Sequence, residues 1–266
     1  MSTVSAIWWM RYKYIVSKLG IDESLDRFAT RMLSEFLRSF QLDVHSILHY
    51  LEKALRGAVT IVMGAGPSLE HQVRELHALK ILNECCIVVA DGVARLLRIY
   101  NVIPTAIVTD LDGEDGSILE LGLRGAVVAL HAHGDNIDRI IEWIPRARRY
   151  GVRVLGTTQV EPTDNVINIG GFTDGDRALL LTLRFHPRAV ILVGMDFGDV
   201  VGPYSKPWLH RAMKADERKR VKLDIAKQII EDAVCSSRSE VYTLSSTDLN
   251  CVHRADIHEV LRLLRS

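Results

Sequence analysis

Short apolar runs rich in β-branched residues alternate with amphipathic helical stretches from residue 58 onward. The predicted strands span 58–63, 86–90, 105–109, 126–131, 152–155, 166–169, 189–194 and 240–244. The predicted helices between them include 67–82, 92–100, 136–149, 173–185 and 212–234. Such alternation is typical of a mainly parallel sheet with helices on both faces. We therefore predict an α/β, Rossmann-like domain over residues 58–266.

Residues 1–57 differ from this pattern, because their apolar residues repeat at helical spacing. One run with steps of three and four comprises Leu25, Phe28, Met32, Leu33, Phe36, Leu37 and Phe40. A second run comprises Leu42, Val44, Ile47, Leu48, Leu51 and Leu55, and Gly57 closes it. We expect a small helical N-terminal region that caps the following domain, covers it or forms a homodimer interface.

The charge balance and the cysteines restrict the class of protein. Thirty-three basic and thirty-three acidic residues cancel, so the net charge does not indicate a nucleic-acid partner. The apolar stretches are too short to span a membrane, and we recognise no signal peptide. We expect a cytoplasmic protein with no nucleic-acid or membrane partner. The four cysteines lack metal-binding spacing, and we expect them to be buried and reduced.

The predicted topology also indicates where functional residues lie. Right-handed crossovers place the carboxyl ends of all parallel strands at one edge of the sheet. Ligands of open α/β sheets bind along that edge. Residues that directly follow the predicted strands are therefore the candidates for a functional site.

The stretch after the third predicted strand carries four carboxylates within six residues and no lysine or arginine. They are Asp110, Asp112, Glu114 and Asp115. Like charges at this density repel one another unless a cation lies between them. Mg²⁺ favours carboxylate oxygens and keeps water ligands that a phosphate can replace. We predict a metal site on Asp110 and Asp112, whose period-two spacing lets both side chains point the same way. The alternative is a solvated acidic turn.

The first two strands are followed by residues suited to a nucleotide. Residues 64–68 form a glycine-rich loop before a helix, where backbone N–H groups are available to an anion. We predict phosphate or nucleotide contact there, although the loop matches neither the full dinucleotide fingerprint nor a Walker loop. The alternative is a tight turn that Ser68 caps. Asp91 is placed to accept hydrogen bonds from a ribose or to cap the next helix.

The fourth strand leads into a polar stretch that runs from His131 to Asn136. Its two histidines, His131 and His133, are suited to bind zinc, to contact a polyphosphate or to donate a proton. The alternative is a helix-start turn capped by Asp135 or Asn136. Two threonines, residues 157 and 158, follow the fifth strand.

The sixth and seventh strands lead to further carboxylates beside aromatic residues. Residues 170–177 combine three glycines, two aspartates and Arg177, which indicates either a ligand-binding wall or a capped helix start. Asp196 and Phe197 follow the seventh strand. Lys206 lies in the next loop, which we interpret as a mobile segment able to close over phosphates. The basic residues at 214–222 are more simply interpreted as a solvated helix face.

Taken together and in this order, these motifs resemble the archaeal 6-hydroxymethyl-7,8-dihydropterin pyrophosphokinases, the MptE-like family. The resemblance extends from roughly residue 60 to residue 250, and the helical N-terminus is also similar. The family is distantly similar to thiamin pyrophosphokinase, whose Gly-Asp-Phe-Asp-Ser motif corresponds to residues 109–113 here. This chain has no evident C-terminal all-β domain, so thiamin is the poorer substrate.

The resemblance implies a diphosphotransferase that uses Mg²⁺ and moves diphosphate from ATP to 6-hydroxymethyl-7,8-dihydropterin, with AMP as the second product. It implies a metal site on Asp110, Asp112 and Asp135. The expected catalytic residues are Asp110, Asp112, His131, His133 and Lys206. The expected nucleotide-binding residues are Gly64, Ala65, Gly66, Pro67, Ser68, Asp91, Thr157 and Thr158. The expected pterin-binding residues are Asn136, Phe172, Asp174, Asp176, Arg177, Asp196 and Phe197.

Three other functions fit parts of the sequence. The Gly-x-Gly-Pro-Ser motif at residues 64–68 is similar to a motif of bacterial motility-associated and sialyltransferase-like proteins. A sugar-nucleotide-dependent glycosyltransferase is therefore an alternative function. A zinc-dependent hydrolase could use His131 and His133. A nucleotide-binding module without turnover is the third alternative, and the density of carboxylates and histidines at one edge argues against it.

Overall fold

The computed structural model describes residues 5–39 and 43–265. Phe40 and Leu42, which belong to the predicted amphipathic runs, lie outside these residues. Within the described chain, nine strands form one sheet in which every pairing is parallel. Helices cover both faces of that sheet, and further helices precede it. The predicted α/β, Rossmann-like architecture is confirmed.

The elements have the following bounds. The helices are α1 (Ala6–Leu19), α2 (Glu23–Ser39), α3 (Val44–Leu55), α4 (Leu69–Ala78), α5 (Val93–Ile99), α6 (Asp115–Leu123), α7 (Ile137–Arg149), α8 (Asp174–Leu183), α9 (Glu217–Cys235) and α10 (Ile257–Arg265). The strands are β1 (Val59–Met63), β2 (Cys86–Ala90), β3 (Ala106–Thr109), β4 (Val127–Ala132), β5 (Arg153–Thr158), β6 (Val166–Asn168), β7 (Ala189–Val193), β8 (Val200–Val201), β9 (Met213–Lys214), β10 (Glu240–Thr243) and β11 (His253–Arg254).

The order of the strands places a crevice at the centre of the sheet. The order is β11-β10-β7-β1-β2-β3-β4-β5-β6, and β8 and β9 form a separate antiparallel pair. The chain therefore moves outward from β1 to β6 and then returns to lay β7 against the other side of β1. Ligands of doubly wound sheets bind at such a reversal, outside the carboxyl ends of the strands.

The N-terminal helices complete the two faces of the sheet. The apolar side of α2 packs with α4, α5, α6, α7 and α10 on one face, whereas α3 packs with α8 and α9 on the other. Helix α1 rests on α9 through a cluster that includes Trp8, Tyr12 and Ile229. These helices cover the sheet, as one interpretation of the sequence expected. A domain boundary at residue 57 and a homodimer stay predictions.

Several short elements were not predicted from the sequence. Helix α6 begins at Asp115, the last residue of the acidic stretch, so its first residue looks like part of a charged turn in the sequence. Helix α10 and strands β8, β9 and β11 are short, so their apolar periodicity spans too few residues to be recognised. None of the helices in the described chain has both the length and the apolar character needed to cross a membrane.

The expectation that all four cysteines are buried and reduced is wrong. Cys235 and Cys251 are exposed and form a disulfide, which ties the end of α9 to the loop between β10 and β11. Cys85 and Cys86 are half-buried and free. The two paired residues are sixteen positions apart, and only the packing of α9 against the sheet brings them together. Intracellular disulfides are rare outside hyperthermophiles.

The disulfide should stabilise the folded protein by reducing the conformational entropy of the unfolded chain. Closing a loop of this length corresponds to about 3 kcal/mol in the chain-entropy model, or a melting temperature roughly 5–10 °C higher. We expect Cys251→Ser to lower the melting temperature by that amount in scanning calorimetry. Dithiothreitol should lower the wild-type value equally and leave the variant unchanged. A reductant effect of the same size in Cys251→Ser would contradict this assignment.

Candidate active site

A cleft opens at the carboxyl edge of the sheet, where the strand order reverses between β1 and β7. Its walls come from the ends of β1, β2, β3 and β7, from the start of α8 and from one side of α9. The predicted site residues that line it are Gly64, Ala65, Gly66, Asp91, Asp110, Asp112, Phe172, Asp174, Arg177, Asp196, Phe197 and Lys206. The topology thus brings together side chains from distant parts of the sequence.

Three carboxylates converge on one side of this cleft. Asp91, Asp110 and Asp112 each offer an oxygen, and these oxygens lie within 4.8 Å of one another. Among the residues that the structure describes, they are the one group of three or more carboxylate, imidazole or thiolate side chains close enough to share a metal ion. Such a set of oxygen ligands suits Mg²⁺, which keeps its remaining positions for water and phosphate.

One carboxylate oxygen of Asp91 is hydrogen-bonded, and the other has no hydrogen-bond partner in the described chain. Its Oδ2 accepts hydrogen bonds from the Thr109 hydroxyl and from the Gly113 N–H (3.2 Å). Its Oδ1 is buried and has no hydrogen-bond partner. A buried carboxylate oxygen without a partner is costly, and a divalent cation would compensate that cost. The residues present therefore fit a metal ion at this position.

Electrostatics within the cluster support the same conclusion. Burial and the nearby charge of Asp110 raise the pKa of Asp91 to about 7. Burial alone would raise the pKa of Asp110 too, but a hydrogen bond from His133 and the charges of His133 and Arg177 hold it below its ordinary value. The cluster thus concentrates negative charge that the protein itself only partly neutralises.

A turn, rather than a continuing strand, brings Asp110 and Asp112 together. Strand β3 ends at Thr109, so the alternation of side chains along a strand, which the sequence-based prediction uses, does not determine where Asp110 and Asp112 point. Leu111 has a positive φ of 63°, and the Asp112 N–H donates to Asp110 Oδ1 (3.1 Å). Gly113 follows because a Cβ there would collide with Asp91 Oδ1. The turn therefore needs glycine where the chain passes the cluster.

The two histidines have different surroundings, and among the described residues they belong to no group of three or more candidate metal ligands. His131 is completely buried, its Nδ1 lies 3.2 Å from the Thr157 hydroxyl, and burial together with Arg177 lowers its pKa. His133 Nε2 contacts Asp110 Oδ2 (3.1 Å) and so orients that carboxylate. Asp135 is exposed and outside the carboxylate cluster, which contains Asp91 as its third member.

Asn136 supports the site from behind instead of facing a substrate. It is buried, and its amide donates to the carbonyl oxygens of Asp110 (2.9 Å) and His131 (2.7 Å). Its own carbonyl accepts the His133 N–H (3.0 Å). Asn136 therefore fixes the ends of β3 and β4 relative to each other. The predicted contact between Asn136 and a pterin is not supported by this arrangement.

The threonines at the end of β5 are also structural. Thr157 is buried against His131. The Thr158 hydroxyl lies 2.7 Å from the Thr30 hydroxyl of α2 and accepts the Val160 N–H. Neither residue lines the cleft, so the predicted nucleotide contact at Thr157 and Thr158 is not supported.

The glycine-rich loop 64–68 serves close packing. A Cβ on Gly64 or Gly66 would collide with the carbonyl oxygen of Gly194 at the end of β7. Ser68, which precedes α4, donates its N–H (3.0 Å) and its hydroxyl (2.7 Å) to the carboxylate of Asp196. The helix start that the sequence analysis assigned to a phosphate is thus paired with a carboxylate. Pro67 and Ser68 lie outside the cleft lining, whereas residues 64–66 line it.

The three candidate pterin-binding carboxylates can now be distinguished. Asp196 is engaged by Ser68. Asp176 is buried and caps α8, because it accepts the N–H groups of Phe172 (2.9 Å), Thr173 (2.6 Å) and Arg177 (3.0 Å). Asp174 faces the cleft, where burial and the charge of Asp110 raise its pKa well above its usual range.

A chain of buried polar side chains links Asp174 to the N-terminal helices. Arg177 lies 3.5 Å from Asp174 and donates to Gln159 Oε1 (3.1 Å). The Gln159 amide donates to Asp26 of α2 (2.6 Å), and Asp26 also accepts the hydroxyl of Tyr12 in α1 (2.7 Å). The second Asp26 oxygen accepts the N–H of residue 134, next to His133 (2.8 Å). The N-terminal helices therefore help to position the site.

The loop that carries Lys206 is folded against the cleft. Lys206 forms an ion pair with Asp112 and lies 5.9 Å from the centre of the Trp208 ring. Arg95 of α5 holds this loop by donating to the carbonyl oxygens of Pro203 (2.8 Å) and Pro207 (3.1 Å). The loop thus delivers an ammonium group to the carboxylate cluster.

Two lysines of the cleft were missed as site residues. Lys219 and Lys222 of α9 line the cleft opposite the carboxylates, although the sequence analysis interpreted this basic stretch as solvated. The sequence contains one indication that these lysines act together. They are three positions apart, which places both on one side of a helix. Which side faces the cleft depends on how α9 packs, and the sequence does not contain that information locally.

The fold and the site define a doubly wound α/β protein with a carboxylate cluster at its switch point. The sequence matches the family described as 6-hydroxymethylpterin diphosphokinase MptE-like over residues 34–202, and the chain belongs to this family. The resemblance stated from the motifs is confirmed.

Curated relatives support the assignment over nearly their whole length. The chain is 37% identical to the 6-hydroxymethyl-7,8-dihydropterin pyrophosphokinase of Pyrococcus furiosus, with 90% of this chain and 97% of that protein covered. It is 36% identical to the protein of the same name from Methanothermobacter thermautotrophicus, with 85% and 93% covered. It is also similar to a solved structure, the MAf glycosyltransferase of Magnetospirillum magneticum (13% identity, TM-score 0.44, 89% of this chain and 45% of that chain).

Asp26 offers a test of the buried polar chain. Its carboxylate accepts three hydrogen bonds, and an asparagine would turn an N–H₂ group toward at least one donor. We expect Asp26→Asn to lower the free energy of unfolding by about 1–3 kcal/mol in urea denaturation. The exposed Asp224→Asn serves as the control, with no resolvable change expected. If Asp26→Asn were as stable as the wild type, the buried polar side chains would not be needed to hold the N-terminal helices against the domain.

Proposed function

We propose that this protein transfers diphosphate from ATP to 6-hydroxymethyl-7,8-dihydropterin, with Mg²⁺ held by Asp91, Asp110 and Asp112. The observation that carries the proposal is the convergence of these three carboxylates in a cleft that lysines also line. The names of the curated relatives support the pterin as acceptor. The products would be the pterin diphosphate and AMP.

The proposed reaction depends on alignment and on neutralisation of charge. The hydroxymethyl oxygen of the pterin attacks the β-phosphorus of ATP and loses its proton to solvent water. The bond between the β-phosphorus and the oxygen of the α-phosphate breaks, and AMP leaves. A bound Mg²⁺ ion would supply positive charge at the phosphate oxygens. His133 orients Asp110 through its 3.1 Å contact, and Lys206 brings a positive charge to Asp112. These groups are placed before the substrates bind, which favours in-line attack.

Asp174 is the carboxylate that we assign to the pterin ring. A pterin presents adjacent N–H donors, and a carboxylate accepts such a pair with two parallel hydrogen bonds. Asp176 and Asp196 each accept at least two hydrogen bonds from protein groups, whereas Asp174 lines the cleft and accepts one long hydrogen bond, from Arg177 at 3.5 Å. Phe172 and Phe197 also line the cleft and offer apolar surface to a flat ring.

The direct test is a turnover assay with Mg²⁺, ATP and reduced 6-hydroxymethyl-7,8-dihydropterin, with AMP as the measured product. Pterin-dependent AMP would support diphosphoryl transfer. ADP in place of AMP would contradict it. If folded protein binds ATP but forms no AMP with the pterin, the acceptor assignment fails, and sugar nucleotides are then tested as donors.

The carboxylate cluster should be essential for turnover. We expect Asp91→Asn, Asp110→Asn and Asp112→Asn each to lower the rate of AMP formation by about a hundredfold or more, since charge stabilisation at the transferred group is lost. Asp115→Asn is the matched control, because Asp115 belongs to the same acidic stretch but pairs with Arg146. Near-normal rates in Asp110→Asn and Asp112→Asn would remove the metal assignment.

Substitutions of Asp174 and of Asp176 should have different effects, because only Asp174 is assigned to the pterin. We expect Asp174→Asn to raise the KM for the pterin about tenfold or more while the KM for ATP stays within twofold, because one charge-assisted hydrogen bond is lost. Asp176→Asn should instead lower the melting temperature, since it weakens the cap of α8. A KM for the pterin that is unchanged in Asp174→Asn would reject this pterin site.

A further inference from the structure

Lys219 and Lys222 lie one turn apart on α9, and both line the cleft. They are half-buried, whereas Arg218 and Arg220 on the same turns are exposed. Lys222 Nζ lies 5.6 Å from the centre of the Phe172 ring, two residues before Asp174. The interpretation of this basic stretch as a solvated face therefore holds for its arginines and fails for these two lysines.

The two ammonium groups are not paired with carboxylates of the described chain. Within the described residues neither of them forms an ion pair, whereas Lys206 is paired with Asp112. Burial is the largest effect on the pKa of Lys219 and of Lys222, and it lowers both; neighbouring cations lower them further, while Asp112 and Asp174 act in the opposite direction on Lys219 and Asp110 on Lys222. Cations that are half-buried and close to one another are unfavourable unless an anion binds between them. The pair thus has the character of an anion site that the protein leaves open.

The position of the pair indicates which anion it takes. Lys222 lies over Phe172 at the proposed pterin pocket, and the charges of Asp112 and Asp174 both act on Lys219. The lysines therefore line the same cleft as the carboxylates that would hold a metal ion and the carboxylate that would hold the acceptor. In a diphosphoryl transfer, the group that passes from the metal to the acceptor within this cleft is the diphosphate.

We propose that Lys219 and Lys222 bind the β- and γ-phosphates of the donor nucleotide and keep hold of the diphosphate while it is transferred. This inference rests on the proposed function, since it takes a nucleoside triphosphate as the donor. Lysine suits the task because a compact ammonium group on a flexible stem can follow the phosphates as they move. The α-phosphate and the nucleoside lie outside this contact.

Binding measurements without the pterin test the inference. We would titrate inorganic pyrophosphate, ATP and AMP into the protein by calorimetry at a fixed Mg²⁺ concentration. Lys219→Met and Lys222→Met remove the charge and keep an apolar stem of similar length. Each should weaken pyrophosphate and ATP binding by about tenfold to a hundredfold, the loss of one charge-assisted contact, and change AMP binding less than twofold. Lys222→Arg should retain most of the affinity.

Arg220→Met is the matched control, because Arg220 belongs to the same helix and is exposed outside the cleft lining. It should bind all three compounds as the wild type does. Unchanged pyrophosphate affinity in both methionine variants, or an equal loss for AMP, would overturn the inference. So would a wild-type protein that does not bind pyrophosphate. Melting temperatures of the variants establish that any loss is not caused by unfolding.

The two proposals fail in different ways. Lysine-dependent pyrophosphate binding in a protein that forms no AMP with the pterin would reject the proposed function and retain the diphosphate site. AMP formation by the wild type, together with normal pyrophosphate binding by both methionine variants, would retain the function and reject the site.

Discussion

Repulsion among three carboxylates at one edge of the sheet is the constraint on which the site depends. Asp91, Asp110 and Asp112 come from two neighbouring strand ends, and their oxygens lie within 4.8 Å of one another. The protein compensates this charge only partly, through His133, through Lys206 and through hydrogen bonds to Asp91. The remaining imbalance, together with a buried Asp91 oxygen that lacks a partner, is what a divalent cation would neutralise.

The rest of the fold serves to hold these groups in place. The reversal of strand order beside β1 opens the cleft, and close packing of the glycine-rich loop against Gly194 sets its floor. The N-terminal helices reach the cleft through the buried chain from Tyr12 and Asp26 to Arg177. Polar chains of this kind are costly when one member is missing, so they favour a single arrangement of the site.

The sequence predicts the fold and the location of the site well, because strand and helix periodicities are local and the crossover rule is general. It predicts individual roles less well where a role depends on a distant partner. Asp91 joins the carboxylate cluster only because β2 lies beside β3, and Asp196 is hydrogen-bonded to Ser68 only because the loop before α4 reaches it. The inward side of α9, and the pairing of Cys235 with the β10–β11 loop, likewise follow from packing that no local pattern contains.

The proposed function requires that the three carboxylates hold the metal ion that engages the nucleotide. Diffraction from crystals grown with Mn²⁺ and a non-hydrolysable ATP analogue tests it most directly, since Mn²⁺ replaces Mg²⁺ and gives an anomalous signal. We expect an anomalous peak within coordination distance of Asp91, Asp110 and Asp112 and in contact with phosphate oxygens. A peak at His131 and His133, or a nucleotide bound without metal at the carboxylates, would contradict it.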